Sequence, residues 1–327
     1  MKKIRPITPE QWNGVCEFNK NIMQAFLSDA TELSAATKKS YESNLKVWFI
    51  WVLENLGNKS MLDVKPLEYK RFQNWMVNRG CSSADIFNKR SAISSLNNYV
   101  EVYYGADFPL FRSFVNKSIK RPQKRDLNEK IPLTKAEFNR MIEVLENREE
   151  WQKAAYLKFT LETGCRRSES RQLLKDVINA EPVIKEKDGK KIVFYQAHPV
   201  RCKGFGTDGK VRRFAFSQST MNALKKWIHA RGEDNSPYMF VNKTGGRAQQ
   251  VSETCFNSWA ANDFTRILGR RFHPHLLRTS RACQLSEDGV DIEKIKKLLG
   301  HESSVTTQNC YIIRKDSDDL DDLYIIQ

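Results

Sequence analysis

Residues 40–57 read SYESNLKVWFIWVLENLG, a stretch whose apolar side chains recur with the period of an α-helix. Steps of three or four residues place these side chains on one helix face; they are Tyr41, Leu45, Trp48, Val52 and Leu56. Two segments with the same period follow, one ending at Gly80 and one beginning after Ser82. Residues 31–114 are therefore predicted to form a small all-helical domain.

The segments that flank this domain lack such a period. Residues 1–30 show no strong pattern and are predicted to be an N-terminal extension. Residues 115–130 carry a proline among basic residues, which predicts a linker between two folded parts; the basic residues are Lys117, Lys120, Arg121, Lys124 and Arg125. Such side chains suit either a solvated tether or a segment that crosses phosphates, and motifs later in the chain favour the second.

The remaining residues, 131–327, combine helical periods with one region of β character. Thr134 and Glu137 have the spacing of a capping box, which predicts a helix at the start of this part. Between residues 182 and 216, short strand-like runs alternate with glycine-containing turns, which predicts a small antiparallel sheet. The predicted fold class is mainly α with a small antiparallel β-sheet, in two domains, of which the second is of the α+β kind.

The composition excludes several classes of protein and favours a polyanionic partner. The chain has 54 Lys and Arg against 39 Asp and Glu, a formal net charge of +15, and nucleic acid is the usual partner of such a protein. Its apolar runs are far shorter than the ~20 residues of a membrane span, and no secretory signal is evident. Seven scattered cysteines without a CxxC pair indicate reduced thiols in a cytoplasmic protein, with no zinc site.

Five motifs with cationic, imidazole or phenolic side chains stand at chain breaks in the second part. They are TGCRRSE at 163–169, a lysine before a glycine-rich turn, HLLR at 275–278, LGH at 299–301, and a tyrosine at 311. Taken singly, each is more often a surface ion pair, a solvated side chain or a helix cap than a catalytic group. Taken together, the cationic groups suit the oxygens of one phosphodiester, and a tyrosine hydroxyl can attack its phosphorus.

The order of these motifs resembles that of the tyrosine recombinase, or phage integrase, family over residues 34–311. The resemblance implies a SAM-like core-binding domain at 31–114 and a catalytic domain at 131–327, in a compact architecture similar to Xer proteins or mobile-element integrases. It further implies that Arg166 and Arg278 clamp the scissile phosphate. Glu169 takes the position of a supporting residue.

The same resemblance assigns the proton transfers and the nucleophile. Lys203 would donate a proton to the leaving 5′ oxygen, and His275 would assist proton transfer. His301 would donate a hydrogen bond to a phosphate oxygen. Tyr311 would attack the phosphorus and form a 3′-phosphotyrosyl bond. Neither a metal ion nor any other cofactor is expected.

Two features of the sequence depart from the family pattern. The family's tyrosine lies nine residues after the LGH histidine, but here Cys310 has that position and Tyr311 is the tenth residue. Either one extra loop residue absorbs the shift, or the helix register turns Tyr311 away by ~100°. Tyr324 in the acidic C-terminal tail is the poorer alternative nucleophile, and Thr279 stands where many members have a further histidine.

The resemblance implies a site-specific DNA recombinase that exchanges strands through a Holliday junction without ATP. Its two domains would close as a clamp on duplex DNA, and four copies would join two sites, with exchange of the C-terminal tail as one means of contact. Accessory DNA-bending proteins and a nucleoid-associated, prokaryotic or phage-encoded protein fit this interpretation. Two alternatives stay open: a family member that binds DNA without cleaving it, and an enzyme similar to type IB topoisomerases.

Overall fold

The computed structural model describes residues 6–116, 118–120, 122–123, 131–187, 189–203, 209–252 and 254–300. These residues form two compact units, one up to residue 123 and one from residue 131 onward. Several predictions therefore lie outside the described residues: those for Lys117, Arg121, Lys124, Arg125, His301, Tyr311 and the acidic tail. No helix in the described ranges is long and apolar enough to cross a bilayer.

The first unit is helical throughout its described elements. The helices are α1 (Pro9–Asn13), α2 (Glu17–Asp29), α3 (Ala35–Asn55), α4 (Pro66–Asn78) and α5 (Ser83–Tyr103), and Met61–Asp63 forms a 3-10 turn. Serine hydroxyls cap two of them: Ser34 Oγ accepts from the Thr37 amide, and Ser82 Oγ accepts from the Asp85 amide. The long helices α3 and α5 coincide with the segments whose period predicted them.

Aromatic side chains fill the core of this unit around Trp48, which is 0% exposed. Its ring lies 4.9 Å from that of Phe72 and 6.0 Å from that of Tyr69, between ring centroids. Phe114, from beyond α5, packs on it at 5.6 Å. The Trp48 side chain of α3 thus contacts both α4 and the segment that follows α5.

Trp48→Ala is expected to destabilise the first unit by ~3–5 kcal/mol, because it deletes the largest buried side chain and leaves a cavity among rings that cannot collapse. Urea unfolding followed by circular dichroism measures this loss. Trp75→Ala is the matched control, since Trp75 is only partly buried and stacks on Phe72 from the rim. Equal losses in the two variants would contradict the role of Trp48 as the centre of the core.

The first unit extends beyond the predicted limits of 31–114 at both ends. Helix α2 falls in the predicted extension, yet it buries one face in the same core through Ile22, Met23, Phe26 and Leu27. The fully buried Asn19 fixes α2, because its amide donates to the Lys59 carbonyl and accepts from the Met61 amide. Residues of the predicted linker also belong to this core, namely Val115 and Ile119.

The second unit is mainly helical with small antiparallel sheets, as predicted. Its helices are α6 (Lys135–Asn147), α7 (Trp151–Thr163), α8 (Arg167–Ser170), α9 (Gln218–Arg231), α10 (Cys255–Trp259), α11 (Thr265–Leu268), α12 (Pro274–Glu287) and α13 (Ile292–Leu299). A 3-10 turn spans Lys175–Asn179, and a π-helical turn, Ala260–Phe264, joins α10 to α11. The capping box at the start of α6 is confirmed: Thr134 Oγ1 accepts from the Glu137 amide at 3.1 Å, and Glu137 Oε2 accepts from the Thr134 amide at 2.9 Å.

The strands form three sheets among the described residues rather than one. They are β1 (Val183–Lys187), β2 (Lys190–Gln196), β3 (Val200–Cys202), β4 (Lys210–Arg212), β5 (Ala215–Phe216), β6 (Val241–Thr244) and β7 (Arg247–Gln250). The antiparallel orders are β1-β2-β5, β3-β4 and β6-β7. The last hairpin was not predicted, because most of its side chains are polar and exposed and so give no alternating pattern.

Helix α7 is the centre of the second unit. It is buried on nearly every side, through Ala154, Ala155, Tyr156, Leu157, Phe159 and Leu161. Helices α9 and α12 pack against it, and the Tyr156 ring stacks on Phe256 with centroids 4.2 Å apart. The end of α7 is therefore held firmly by the core, and the first of the five sequence motifs begins there.

Candidate active site

The turn after α7 positions Arg166, and it depends on a glycine, Gly164, that no other residue could easily replace. Gly164 ends the helix in the left-handed region, with φ of +60°. A Cβ atom at this position would overlap the side chain of Leu299, the last residue of α13. The close approach lets the ends of α7 and α13 meet, and Arg166 then becomes the N-cap residue of α8.

Glu169 holds Arg166 in place through two hydrogen bonds. Arg166 Nη1 donates to Glu169 Oε1 at 2.9 Å, and the Arg166 backbone amide donates to Glu169 Oε2 at 2.7 Å. The Glu169 side chain is fully buried, whereas the Arg166 side chain is 28% exposed. A buried carboxylate thus orients a guanidinium that is itself partly exposed, which suits the supporting role predicted for Glu169.

Arg278 lies on α12 and is 2% exposed. Its Nη1 donates to the Gly164 carbonyl at 2.7 Å, and its Nη2 donates to the Leu299 carbonyl. Burial lowers the pKa of Arg278 to about 10, and the nearby charge of Arg166 adds to this effect. The side chain is still protonated at neutral pH, so the two arginines form a region of positive potential that favours an anion.

His275 lies one helical turn before Arg278, near the start of α12, and is exposed. The i, i+3 spacing puts the two residues on the same side of the helix. Thr279, at the position where many family members have a histidine, is buried, and its hydroxyl donates to the His275 carbonyl at 3.4 Å. The buried hydroxyl of Thr279 therefore has a hydrogen-bond partner within its own helix.

Lys203 directly follows β3 and is exposed. It lies on the β3–β4 hairpin, in agreement with the hairpin position predicted from the sequence. It forms no hydrogen bond or ion pair with a residue that the structure describes. Gln172, just after α8, holds this hairpin: its Nε2 donates to the Arg201 carbonyl at 2.9 Å, and its Oε1 accepts from the Arg201 amide at 3.1 Å. Cys202 lies close to Glu169, whose charge adds to the burial that raises the pKa of the thiol to about 11.

The structure thus brings Arg166, Glu169, Arg278 and the hairpin of Lys203 to one place, at the ends of α7 and α13. It does not describe His301 or Tyr311, which follow α13 in the chain. Lys120 lies in the first unit, where its side chain is exposed and its carbonyl accepts from Gln73. No cluster of three metal-ligating side chains occurs within the described ranges.

Sequence reasoning missed Arg212, the last residue of β4. Its Nη1 donates to the Leu299 carbonyl at 2.9 Å, and its Nη2 donates to the Leu298 carbonyl. The only sequence signal for a role of Arg212 is its position on the second strand of the predicted hairpin that carries Lys203. Basic residues are common in this chain, so that position alone did not single it out.

Comparison with known proteins identifies a relative over most of the chain. Residues 132–317 match the model of the phage integrase family. The SPbeta prophage-derived recombinase-like protein YomM of Bacillus subtilis is 32% identical over 309 residues, which cover 93% of this chain and 90% of that protein. Tyrosine recombinase XerA of Pyrococcus horikoshii is 36% identical over a shorter stretch of 104 residues, 32% of this chain and 35% of that protein.

Solved structures show the same fold. An integrase of the Tn1549 transposon, in complex with transposon right end DNA, has a TM-score of 0.66 and 16% identity, covering 90% of this chain and 94% of that one. The XerH site-specific recombinase bound to a palindromic difH substrate has a TM-score of 0.65 and 17% identity, covering 96% of this chain and 86% of that one.

Proposed function

The chain belongs to the phage integrase family of tyrosine recombinases, which cleave and rejoin DNA at specific sites, and on this premise we propose that Tyr311 is its nucleophile. The observation that carries the proposal is the meeting of Arg166, Arg278 and the Lys203 hairpin within the unit that matches the family model. Two guanidinium groups beside a hairpin that carries a lysine suit a phosphodiester whose negative charge grows in the transition state.

The two arginines bind the non-bridging oxygens of the scissile phosphate. Arg166 is oriented by Glu169, and Arg278 is anchored by the Gly164 and Leu299 carbonyls, so neither guanidinium needs to reorganise when the phosphate arrives. The phosphate also supplies the counter-charge for Arg278, whose burial disfavours its charged form. His301, which follows Gly300 in the chain, adds a hydrogen bond to a phosphate oxygen.

Cleavage is a transesterification in which the attacking oxygen loses one proton and the leaving oxygen gains one. The Tyr311 hydroxyl loses its proton, with assistance from His275, as its oxygen forms a bond to phosphorus. The bond from phosphorus to the 5′ oxygen breaks, and Lys203 gives this oxygen a proton. The product is a 3′-phosphotyrosyl bond, which a 5′ hydroxyl of another strand can attack in the reverse reaction. Two such rounds exchange strands through a Holliday junction.

Duplex DNA is the proposed partner of both units. The helical unit acts as the core-binding domain and the second unit as the catalytic domain. Lys120 of the first unit and the other basic residues of the predicted linker lie near phosphates in this proposal. The net charge of +15 favours such contacts, which supply affinity, while base contacts supply the choice of site. Four copies assemble on two sites, with the acidic C-terminal tail as a contact between copies and DNA-bending proteins as accessory factors. We place this assembly on the nucleoid in the cytoplasm.

A covalent-trapping assay tests the proposal. Nicked duplexes that tile the DNA flanking the chain's own gene are incubated with the protein in EDTA and without nucleotide. The nick lets the cleaved fragment diffuse away, so the adduct accumulates and is resolved on a denaturing gel. We expect an adduct at the 3′ end of one duplex, and a released strand with a 5′ hydroxyl that polynucleotide kinase can label.

Other outcomes identify the alternatives. Tight binding to one duplex without an adduct would point to a family member that holds DNA but does not cleave it. Relaxation of supercoiled plasmids that lack the trapped site, at the same rate as plasmids that contain it, would point to a topoisomerase. Either result would overturn the proposed function.

A further inference from the structure

Arg212 lies at the junction of three elements of the candidate site. It is the last residue of β4, on the hairpin that carries Lys203, and it donates to the carbonyls of Leu298 and Leu299 at the end of α13. The Leu299 carbonyl also accepts from Arg278. One backbone oxygen therefore joins the hairpin of the predicted proton donor to the arginine that clamps the phosphate.

The guanidinium of Arg212 is closely packed as well as hydrogen-bonded. Its Cζ lies 5.1 Å from the centroid of the Phe214 ring. On another side it lies against Gly300, where φ is +65° and where a Cβ atom would lie 2.6 Å from Nη1 and 2.9 Å from Cζ. Gly300 therefore serves both the left-handed end of α13 and the close approach of Arg212.

We propose that Arg212 is a positioning residue for DNA cleavage, which holds the Lys203 hairpin in register with Arg278 by tying both to the end of α13. The inference rests on the proposed function, since it concerns the same phosphodiester. In this proposal Arg212 acts through the groups that its guanidinium contacts, which are the carbonyls of Leu298 and Leu299, the ring of Phe214 and the backbone of Gly300. An exposed lysine on a two-stranded hairpin needs such a support to meet one oxygen atom repeatedly.

A purely structural role is the alternative. A cation at a helix C-terminus stabilises the helix by contacting its last carbonyls, whether or not it serves a reaction. The two roles differ in what the loss of Arg212 does to the proton transfer. A misplaced Lys203 slows the departure of an oxygen leaving group, whereas a loosened α13 affects cleavage of every substrate.

The experiment compares two versions of the trapped nicked duplex. One has the natural 5′ oxygen at the scissile bond, and the other has sulfur in that bridging position. A thiol has a pKa of about 8.5, so its thiolate leaves without a proton, whereas an alkoxide needs one. Single-turnover cleavage rates are measured for the wild type, Arg212→Ala, Arg212→Lys, Lys203→Ala and Arg213→Ala.

We expect Arg212→Ala to lower the rate on the oxygen substrate by ~10²-fold, the usual effect of a small misplacement of a catalytic group. On the sulfur substrate it should stay within about fivefold of the wild type, as Lys203→Ala should. Arg212→Lys keeps the charge but cannot bridge two carbonyls, so it should show the same rescue by sulfur. Arg213 is the exposed neighbour of Arg212, and Arg213→Ala controls for the loss of one positive charge.

Equal losses on both substrates, or no loss on the oxygen substrate, would overturn the positioning role. Lack of rescue for Lys203→Ala would overturn it too, since Lys203 would then not be the proton donor. Arg212→Lys keeps the test valid if Arg212→Ala unfolds, which circular dichroism detects. A wild-type protein that yields no adduct with any duplex would instead refute the proposed function itself, and thereby the inference that rests on it.

Discussion

Tyr311→Phe should abolish the covalent adduct while DNA binding stays unchanged. The variant lacks only the hydroxyl oxygen that attacks phosphorus, so the arginines and the phosphate contacts remain intact. We expect the cleavage rate to fall by more than ~10³-fold, because no other group replaces a missing nucleophile. A denaturing gel measures the adduct, and fluorescence anisotropy at fixed salt concentration measures the binding.

Tyr324→Phe is the matched control, since Tyr324 is the only later tyrosine in the chain. It should leave the adduct at the wild-type level. Mass spectrometry of the peptide linked to DNA gives a second, independent readout. If Tyr324→Phe removed the adduct and Tyr311→Phe retained it, the nucleophile would lie in the tail, and the ten-residue spacing from His301 would reflect a true change of register.

Arg278→Ala is expected to lower the cleavage rate by ~10²–10³-fold, with DNA binding reduced far less. Its buried guanidinium acts where water is excluded, and removal of a single such donor typically costs ~10²–10³-fold. Arg278→Lys should not restore the rate, because an ammonium group cannot donate to the Gly164 and Leu299 carbonyls in a plane and also to the phosphate. Single-turnover cleavage of the nicked duplex, with binding by anisotropy, measures both effects.

Arg281→Ala is the control for this prediction. Arg281 lies on the same helix, one turn further along, and lines a groove with Glu146 and Glu162 in the second unit. Burial lowers its pKa as it does for Arg278, but the charges near Arg281 are those of Glu162 and Asp288, which act in the opposite direction. A comparable loss of cleavage in Arg281→Ala would mean that α12 as a whole, rather than Arg278, determines the rate.

Local patterns predicted the elements that depend on neighbouring residues. The apolar period gave α3 and α5, and the capping box of Thr134 and Glu137 gave the start of α6. The fold class, mainly helical with small antiparallel sheets, is confirmed. Each of these features is encoded within a few turns of chain, where side-chain spacing alone determines which residues share a face.

Contacts between distant segments were not predictable in this way. Asn19 meets Lys59 and Met61 across some forty positions of sequence, and this contact makes α2 part of the core rather than an extension. In the candidate site, the motifs indicated Arg166 and Arg278, and the structure brings these two together. Arg212 belongs to no motif. Its hydrogen bond to the Leu299 carbonyl of α13, eighty-seven positions further along the chain, is visible only in the structure.

The extended limits of the helical unit restrict how evolution can exchange modules between relatives. A segment cut at residues 31 and 114 would separate the core around Trp48 from α2 on one side and from Val115 and Ile119 on the other. A grafted DNA-reading module would therefore expose apolar surface unless the donor sequence carried both flanks with it. Functional chimaeras between such proteins should have their junctions before α1, since Val15 also belongs to this core, and beyond Lys120, whose carbonyl is bound to Gln73 of the same unit.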